Sequence, residues 1–306
     1  MTRTTLFPIG LAVFVFLGTG GLLLLAQEEA PVRSANLALA GEYNLGLRLS
    51  KGEKSYYSYS SRLLHYGAEA GVERRETVRG YFMQEVVGFR PGGPPVFRVV
   101  RNHTGMHMGL GGQETFTPFE FGEGFTYEVC FEDEFEFFSP DTSTFPNSLP
   151  GFMMFENIVQ SHTFALLATR TNGGLDKLRT VGATVTTPDS GKGGQVDFPG
   201  YMSVKMVRGQ STLTFLGLSQ YRGEAAALLS YDTPWSFPSI GGGKGAAHTT
   251  GLIWVSLQRG EILKGTLRET TQLTLPGSGS QPVSLSLVTE GLLEKISRED
   301  YPVPVD

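Results

Sequence analysis

Apolar and polar residues alternate in segment after segment from Tyr43 to Ile296. Successive side chains of a strand point to opposite faces, so this period predicts strands with one buried and one wet face. The longest run goes from Phe119 to Phe137. Phe119, Phe121, Phe125, Tyr127, Val129, Phe131, Phe135 and Phe137 share one parity, and Glu120, Thr126, Glu128, Glu132, Glu134 and Glu136 take the other. About 19 residues exceed a usual strand. Gly122 and Gly124 predict a break or a bend inside the run.

A short signature ends three of the alternating segments: Lys51-Gly52-Glu53 after Leu45, Leu47 and Leu49; Arg208-Gly209-Gln210 after Met202, Val204 and Met206; and Arg259-Gly260-Glu261 after Ile253, Val255 and Leu257. Each reads as a tight turn whose glycine takes a positive φ, in preference to a ligand-binding set of basic side chains. Further hairpin breaks are expected at Gly67–Gly71, Pro91–Pro95, Gly191–Gly194 and Pro276–Gly279. The spacing is that of an antiparallel all-β fold. The repeated signature suggests a duplication, with halves at 41–145 and 180–297 of one β domain spanning 41–297.

One stretch departs from the rhythm. Phe155, Ile158, Val159, His162 and Leu166 form a helical stripe, so a covering α-helix is expected over 150–170, starting near Ser148 and Pro150 and ending by Gly173-Gly174. A second helical turn is expected at Leu175–Leu178. The tail 298–306, with Pro302 and Pro304, is expected to be extended or frayed.

The N-terminus sets the compartment. Arg3 precedes an apolar run from Leu6 to Ala26, and Gln27-Glu28-Glu29 follows. This charge order predicts that the chain beyond Ala26 is exported. The run, of about 21 residues, is long enough for a span, while Gly18, Thr19, Gly20 and Gly21 weaken its centre. Residues 1–26 therefore read as a cleavable signal peptide or a retained membrane anchor, with cleavage preferred, and 27–40 as a tether. No Cys follows the run, so no lipoprotein signal is present. The location expected is periplasmic or extracellular.

Charge and cysteine content narrow the partners. Removing Arg3 from the 25 basic residues leaves 24 against 30 acidic ones, and no basic tract stands out. Nucleic acid is not an expected partner. The single cysteine, Cys130, leaves an exported chain without an internal disulfide, so its core must hold it together. The expected contacts are the membrane, through residues 6–26, and an unidentified protein or apolar ligand.

The search for chemistry is mostly negative. His103 and His107 share a strand face but would stand about 13 Å apart, too far for one metal ion unless Gly105 turns the chain. Met106 and Met108 would add soft ligands. His162 lies on the apolar helical stripe and reads as a core residue; His65 and His248 fall in expected loops. Gly241-Gly-Gly-Lys-Gly-Ala-Ala247 lacks the glycine and the Ser/Thr of a phosphate loop, with Pro238 and Gly245 in their places, and reads as a flexible loop. Cys130 lies on the acidic parity, where carboxylates disfavour a thiolate. Glu132, Asp133, Glu134 and Glu136 diverge to both faces of a strand and read as a solvated edge. Asn102-His103-Thr104 is a glycosylation sequon. No catalytic, cofactor-binding or metal-binding residues are assigned, and no cofactor is expected.

Gly41–Val100 and Leu178–Ile296, with Phe215-Leu-Gly217, Gly223-Glu-Ala-Ala-Ala-Leu228 and Gly260-Glu-Ile-Leu-Lys-Gly265, resemble exported bacterial β-rich proteins of unknown function. The resemblance implies antiparallel curved sheets, a sandwich or half-barrel, akin to periplasmic lipid and lipoprotein carriers. It carries no catalytic residues. The expected function is that of a non-enzymatic envelope protein with a binding or structural role, for which an apolar ligand is one candidate. A single-span anchored subunit of a larger assembly and a hydrolase of envelope polymers are the alternatives.

Overall fold

The computed structural model describes residues 41–66, 73–90, 95–110, 113–119, 123–130, 175–187, 194–198, 202–240, 242–276 and 282–302. The apolar run 6–26, the tether, the helix expected at 150–170 and the acidic run Glu132–Glu136 lie outside them.

The described chain is almost entirely antiparallel strand. The strands are β1 (Lys54–Tyr66), β2 (Glu73–Phe89), β3 (Pro95–Leu110), β4 (Gln113–Pro118), β5 (Phe125–Cys130), β6 (Thr184–Thr187) and β7 (Gly194–Phe198). They continue with β8 (Met202–Arg208), β9 (Ser211–Tyr221), β10 (Glu224–Ile240), β11 (Gly243–Ser256), β12 (Ile262–Leu275) and β13 (Val283–Ile296). All belong to one open, curved sheet with the order β4-β3-β2-β1-β13-β12-β11-β10-β8-β7. The first and last strands are neighbours in its middle, where Tyr59 faces Leu293 and Ser61 faces Gly291. Two meanders spread from this seam in opposite directions.

Each meander ends in a fork. β3 pairs with β5 along Val96–Arg101 and with β4 along Gly105–Leu110. Between the two lies a bulge, where the register with β2 slips and His103 takes a φ of 46°. On the other flank β10 pairs with β9 up to Asp232 and with β8 from Trp235. Pro234 sits at that fork. The N–H and C=O of a strand residue point to the same side, and the Pro234 carbonyl accepts from Gly209 N–H at 2.8 Å. The donor that proline lacks is therefore one that would have pointed at the gap between β8 and β9, where no ladder bond is forfeited.

The break expected at Gly122–Gly124 separates β4 from β5, and Gly124 has a φ of 67°. In β5, Tyr127 and Val129 are buried while Thr126 and Glu128 are exposed, as the alternation requires. Leu175–Lys177 is a 3₁₀ turn, and Leu175 and Leu178 are both buried. Three expectations need correction. The break at Gly191–Gly194 does not join paired strands: β6 pairs with β9, and β7 with β8. Only two of the three signature glycines, Gly52 and Gly260, have a positive φ; Gly209 lies at the fork and does not. The tail is not frayed through Tyr301, which is buried and packs on Tyr56 with ring centroids 5.1 Å apart. Its hydroxyl accepts from Asn102 Nδ2.

One face of the sheet carries the core. Tyr57, Tyr59, Phe82, Val86, Phe97, Val99, Tyr127 and Val129 come from one flank, and Phe215, Leu229, Ile253, Val255, Ile262 and Leu293 from the other and the seam. A strap of residues 41–50 crosses one end of this inner face. Tyr43 N–H donates to Arg179 O, Arg48 N–H to Arg259 O and Gly52 N–H to Val86 O, while Leu45 is fully buried. The strap and the turn after it thus tie the segment before β6, the β11–β12 turn and β2 together.

Candidate functional site

Cross-strand register divides the inner face into rows. In the sealed part, Tyr59, Leu293, Gly265, Ile253 and Leu229 stand side by side. Two residues further from the strap come Gly291, Leu267, Gly251 and Tyr231. The next row is polar: Thr233, Thr249, Glu269 and Thr289 face one another across β10 to β13, and Leu63 continues the row on β1. Beyond it are Trp235, Ala247, Thr271 and Leu287, then Phe237, Gly245, Leu273 and Leu285.

Burial loosens along these rows, although Ala247, Thr271 and Leu273 of the outer rows remain buried. Leu267 and Tyr231 are buried, as are Thr233, Thr249 and Thr289. Trp235, Phe237, Leu285, Leu287 and Leu275 are half-buried, and Val283 is 46% exposed. The inner face is therefore closed at the strap and open at the far end, with a polar belt between a dry core and a half-open apolar strip. Apolar side chains left half-open on an inward face are the component a ligand would complete.

Glycines shape the strip. A Cβ on Gly245 would collide with Leu273, one on Gly243 with Leu275, and one on Gly251 with the Tyr231 ring. The backbone carbonyls of Thr274, Gln272 and Thr266 crowd these positions as closely as the side chains do or more so. This corrects the loop reading of residues 241–247: among the described residues of that stretch, Gly242 forms a turn with a φ of 81° and Gly243–Ala247 belong to β11. The glycines are there for close lateral packing on a curved sheet.

Glu269 is the focus of the belt. Trp235 Nε1 donates to Thr249 Oγ1 at 3.1 Å, and Thr249 Oγ1 donates to Glu269 Oε2 at 2.8 Å. Thr271 Oγ1 donates to Glu269 Oε1 at 3.0 Å. Burial raises the Glu269 pKa above the ordinary glutamate value, against the opposing pull of the two threonine hydrogen bonds. Burial also pushes the Tyr231 hydroxyl well up, and the Glu269 charge adds to it. The sequence held a signal for this site: Glu269 has the same parity as Leu267, Leu273 and Leu275. A carboxylate on an apolar parity is one aimed into the protein.

A second polar cluster lies at the strapped end. Glu261, 2% exposed, accepts from Ser55 Oγ at 2.9 Å, pairs with Lys295 and lies 2.7 Å from Arg259 Nε. Arg259 Nη2 reaches Glu53 Oε1 at 3.2 Å. These groups complete one another and hold the turns together. A third buried ion, Arg101, is 1% exposed; its Nε donates to Tyr127 Oη at 3.1 Å, and its guanidinium lies over Phe82.

The residues weighed from sequence scatter. His103 stands at the β3 bulge, exposed, with its N–H on Glu123 Oε2 at 2.9 Å, and His107 packs on the Phe116 ring. His65 and His248 are on strands β1 and β11, not in loops; His248 Nε2 lies 2.8 Å from Asp232 Oδ1. Cys130 ends β5 opposite Val96. Asn102 is buried, donating to Tyr301 and accepting from Gly124 N–H at 3.0 Å. His162 is outside the described residues.

No family model and no curated protein matches the sequence. Among solved structures, the chain is similar to one described as lipid–protein interactions in lipovitellin, with a TM-score of 0.42 and 12% identity. The match covers 84% of this chain and 26% of that one, so this chain spans about a quarter of the lipovitellin chain.

Proposed function

We propose that this is an exported, non-catalytic β protein of the cell envelope that binds an apolar chain on the inner face of its sheet. One observation carries the reading: beyond Glu269 the inward face presents half-open apolar side chains beside the buried Ala247, Thr271 and Leu273, while the equivalent rows toward the strap are closed. Phe237, Leu285, Leu287 and Leu275 present an inward surface that water now meets. Fully burying an exposed side chain of this size is worth about 1.5–3 kcal/mol, and covering one that is already half-buried contributes a fraction of that. The export part rests on the charge order around Leu6–Ala26.

Two measurements test this on material from the native source. Organic extraction is expected to release an amphiphile in stoichiometric amount, and N-terminal sequencing to place the mature start near Gln27. A protein that carries no amphiphile and takes up none contradicts the binding role.

The length of the apolar run supports a second reading, in which it remains as a span and the sheet is the outer part of an assembly. Partners that co-elute after mild detergent extraction would favour it; a soluble chain eluting alone would end it. The hydrolase alternative has weaker support. Glu261 and Glu269, eight residues apart along an extended chain, are separated by roughly 25 Å, whereas paired glycosidase carboxylates stand about 5–10 Å apart.

A further inference from the structure

We propose that Glu269 is the head-group site for an aliphatic ammonium, a primary amine carried on an apolar chain that lies along Leu273, Leu285 and Phe237. The inference rests on the apolar-chain reading above and adds the chemistry of the ligand's polar end.

The direction of the hydrogen bonds selects the ligand. Trp235 Nε1 spends its proton on Thr249, Thr249 spends its own on Glu269 Oε2, and Thr271 spends its own on Oε1. An indole has one donor and a hydroxyl one proton. What this network still offers a newcomer is acceptor capacity: a further lone pair on each carboxylate oxygen and on Thr271 Oγ1. An anionic or acceptor-only head group therefore finds no partner in it. An ammonium carries three donors and a positive charge, and it suits a carboxylate flanked by hydroxyl oxygens.

Electrostatics points the same way. What acts on the Glu269 charge among the described residues is burial and two threonine hydroxyls, with no basic side chain contributing. A desolvated carboxylate without a counter-ion is held at a cost that a cation relieves. The buried carboxylate at the strapped end, Glu261, already has Lys295 and Arg259. Of the two, Glu269 is the one on which no basic side chain acts among the described residues, and it borders the open strip.

The test is a calorimetric titration of the full chain, produced with its own leader, at pH 7.5. The probes are dodecylamine, dodecanol and dodecanoate below their aggregation concentrations. Dodecylamine is expected to bind about tenfold or more tighter than dodecanol, and dodecanoate more weakly than the alcohol. Glu269→Gln is expected to bring the amine down to the affinity of the alcohol and to leave the alcohol unchanged. Equal binding of amine and alcohol, or a preference that survives Glu269→Gln, overturns the ammonium site while the apolar-chain reading stands. Failure of all three probes removes that reading and this one with it. Should Glu269→Gln not fold, Glu269→Asp keeps the charge but withdraws it by one methylene. It is expected to weaken the amine selectively, and unchanged amine affinity overturns the proposal.

Discussion

Arg259 and Glu53 are separated by 206 residues in sequence and by 3.2 Å in space. Each belongs to a turn of the same basic-Gly-acidic type, one before β1 and one between β11 and β12. The two turns therefore meet at the end of the sheet that the strap closes. Their shared chemistry is structural: Glu53 and Glu261 both engage Arg259, and Lys295 of β13 completes the set.

Glu261→Gln should expose the dependence of the fold on this cluster. The substitution leaves Lys295 and Arg259 facing a neutral amide in place of their buried counter-charge, and breaking a buried pair costs about 3–5 kcal/mol. Partial exposure of both cations places the expected loss at about 3 kcal/mol. Urea unfolding checks it; a loss below about 1 kcal/mol would show that the cluster is incidental.

Gly260→Ala and Gly52→Ala form a contrasting pair. Both glycines have positive φ, 70° and 85°. A Cβ on Gly52 meets nothing within 4 Å, whereas one on Gly260 would run into the Gly46 carbonyl of the strap. Gly52→Ala is expected to cost about 1 kcal/mol from backbone conformation alone. Gly260→Ala adds displacement of the strap and is expected to cost about 3 kcal/mol. Equal costs in denaturant unfolding would mean that the strap yields freely.

The Asn102 sequon is predicted to stay unmodified in a glycosylating host, because its amide is buried and donates to Tyr301. Intact-mass measurement checks this. Tyr301→Phe removes the acceptor and is expected to cost about 1–2 kcal/mol. The loss should also be seen on deleting residues 301–306.

The raised pKa of Glu269 fixes a sign for the pH dependence of stability. A carboxyl with a higher pKa folded than unfolded binds more protons in the folded state between the two values. Stability therefore falls as pH rises from the ordinary glutamate value through the raised one, and is level above it. Glu269→Gln removes this loss. The native chain is expected to lose stability relative to Glu269→Gln as pH rises across that window, and a native chain that instead gains stability relative to the variant contradicts the assignment.

Much of the fold was legible in the alternation. Tyr127 and Val129 against Thr126 and Glu128, the break before Phe125 and the turn at Leu175 follow from local pattern alone. The pairing of β1 with β13 did not, because nothing local records which strands meet after more than 200 residues. Gly243 and Gly245 were misread for a physical reason: without side chains they carry no parity, and their role appears only when Leu273 and Leu275 are seen lying over them. The tail was misread because Pro302 and Pro304 say nothing of the single aromatic anchor, Tyr301, that precedes them. The belt was readable in part, since Glu269 breaks the parity set by Leu267 and Leu273. Its threonine partners are ordinary strand residues until the register aligns them.

The most direct test of the account is a fluorescence titration with a neutral apolar probe, 1,6-diphenylhexatriene, on the native chain and on Leu285→Glu. The variant places a charge on the half-open strip, away from the sealed core and from the Glu261 cluster. The account predicts saturable one-site binding to the native chain and at least about a tenfold loss in Leu285→Glu, with the thermal midpoint little changed. Equal binding by both chains, or no binding by either, would contradict the claim that this face takes an apolar ligand.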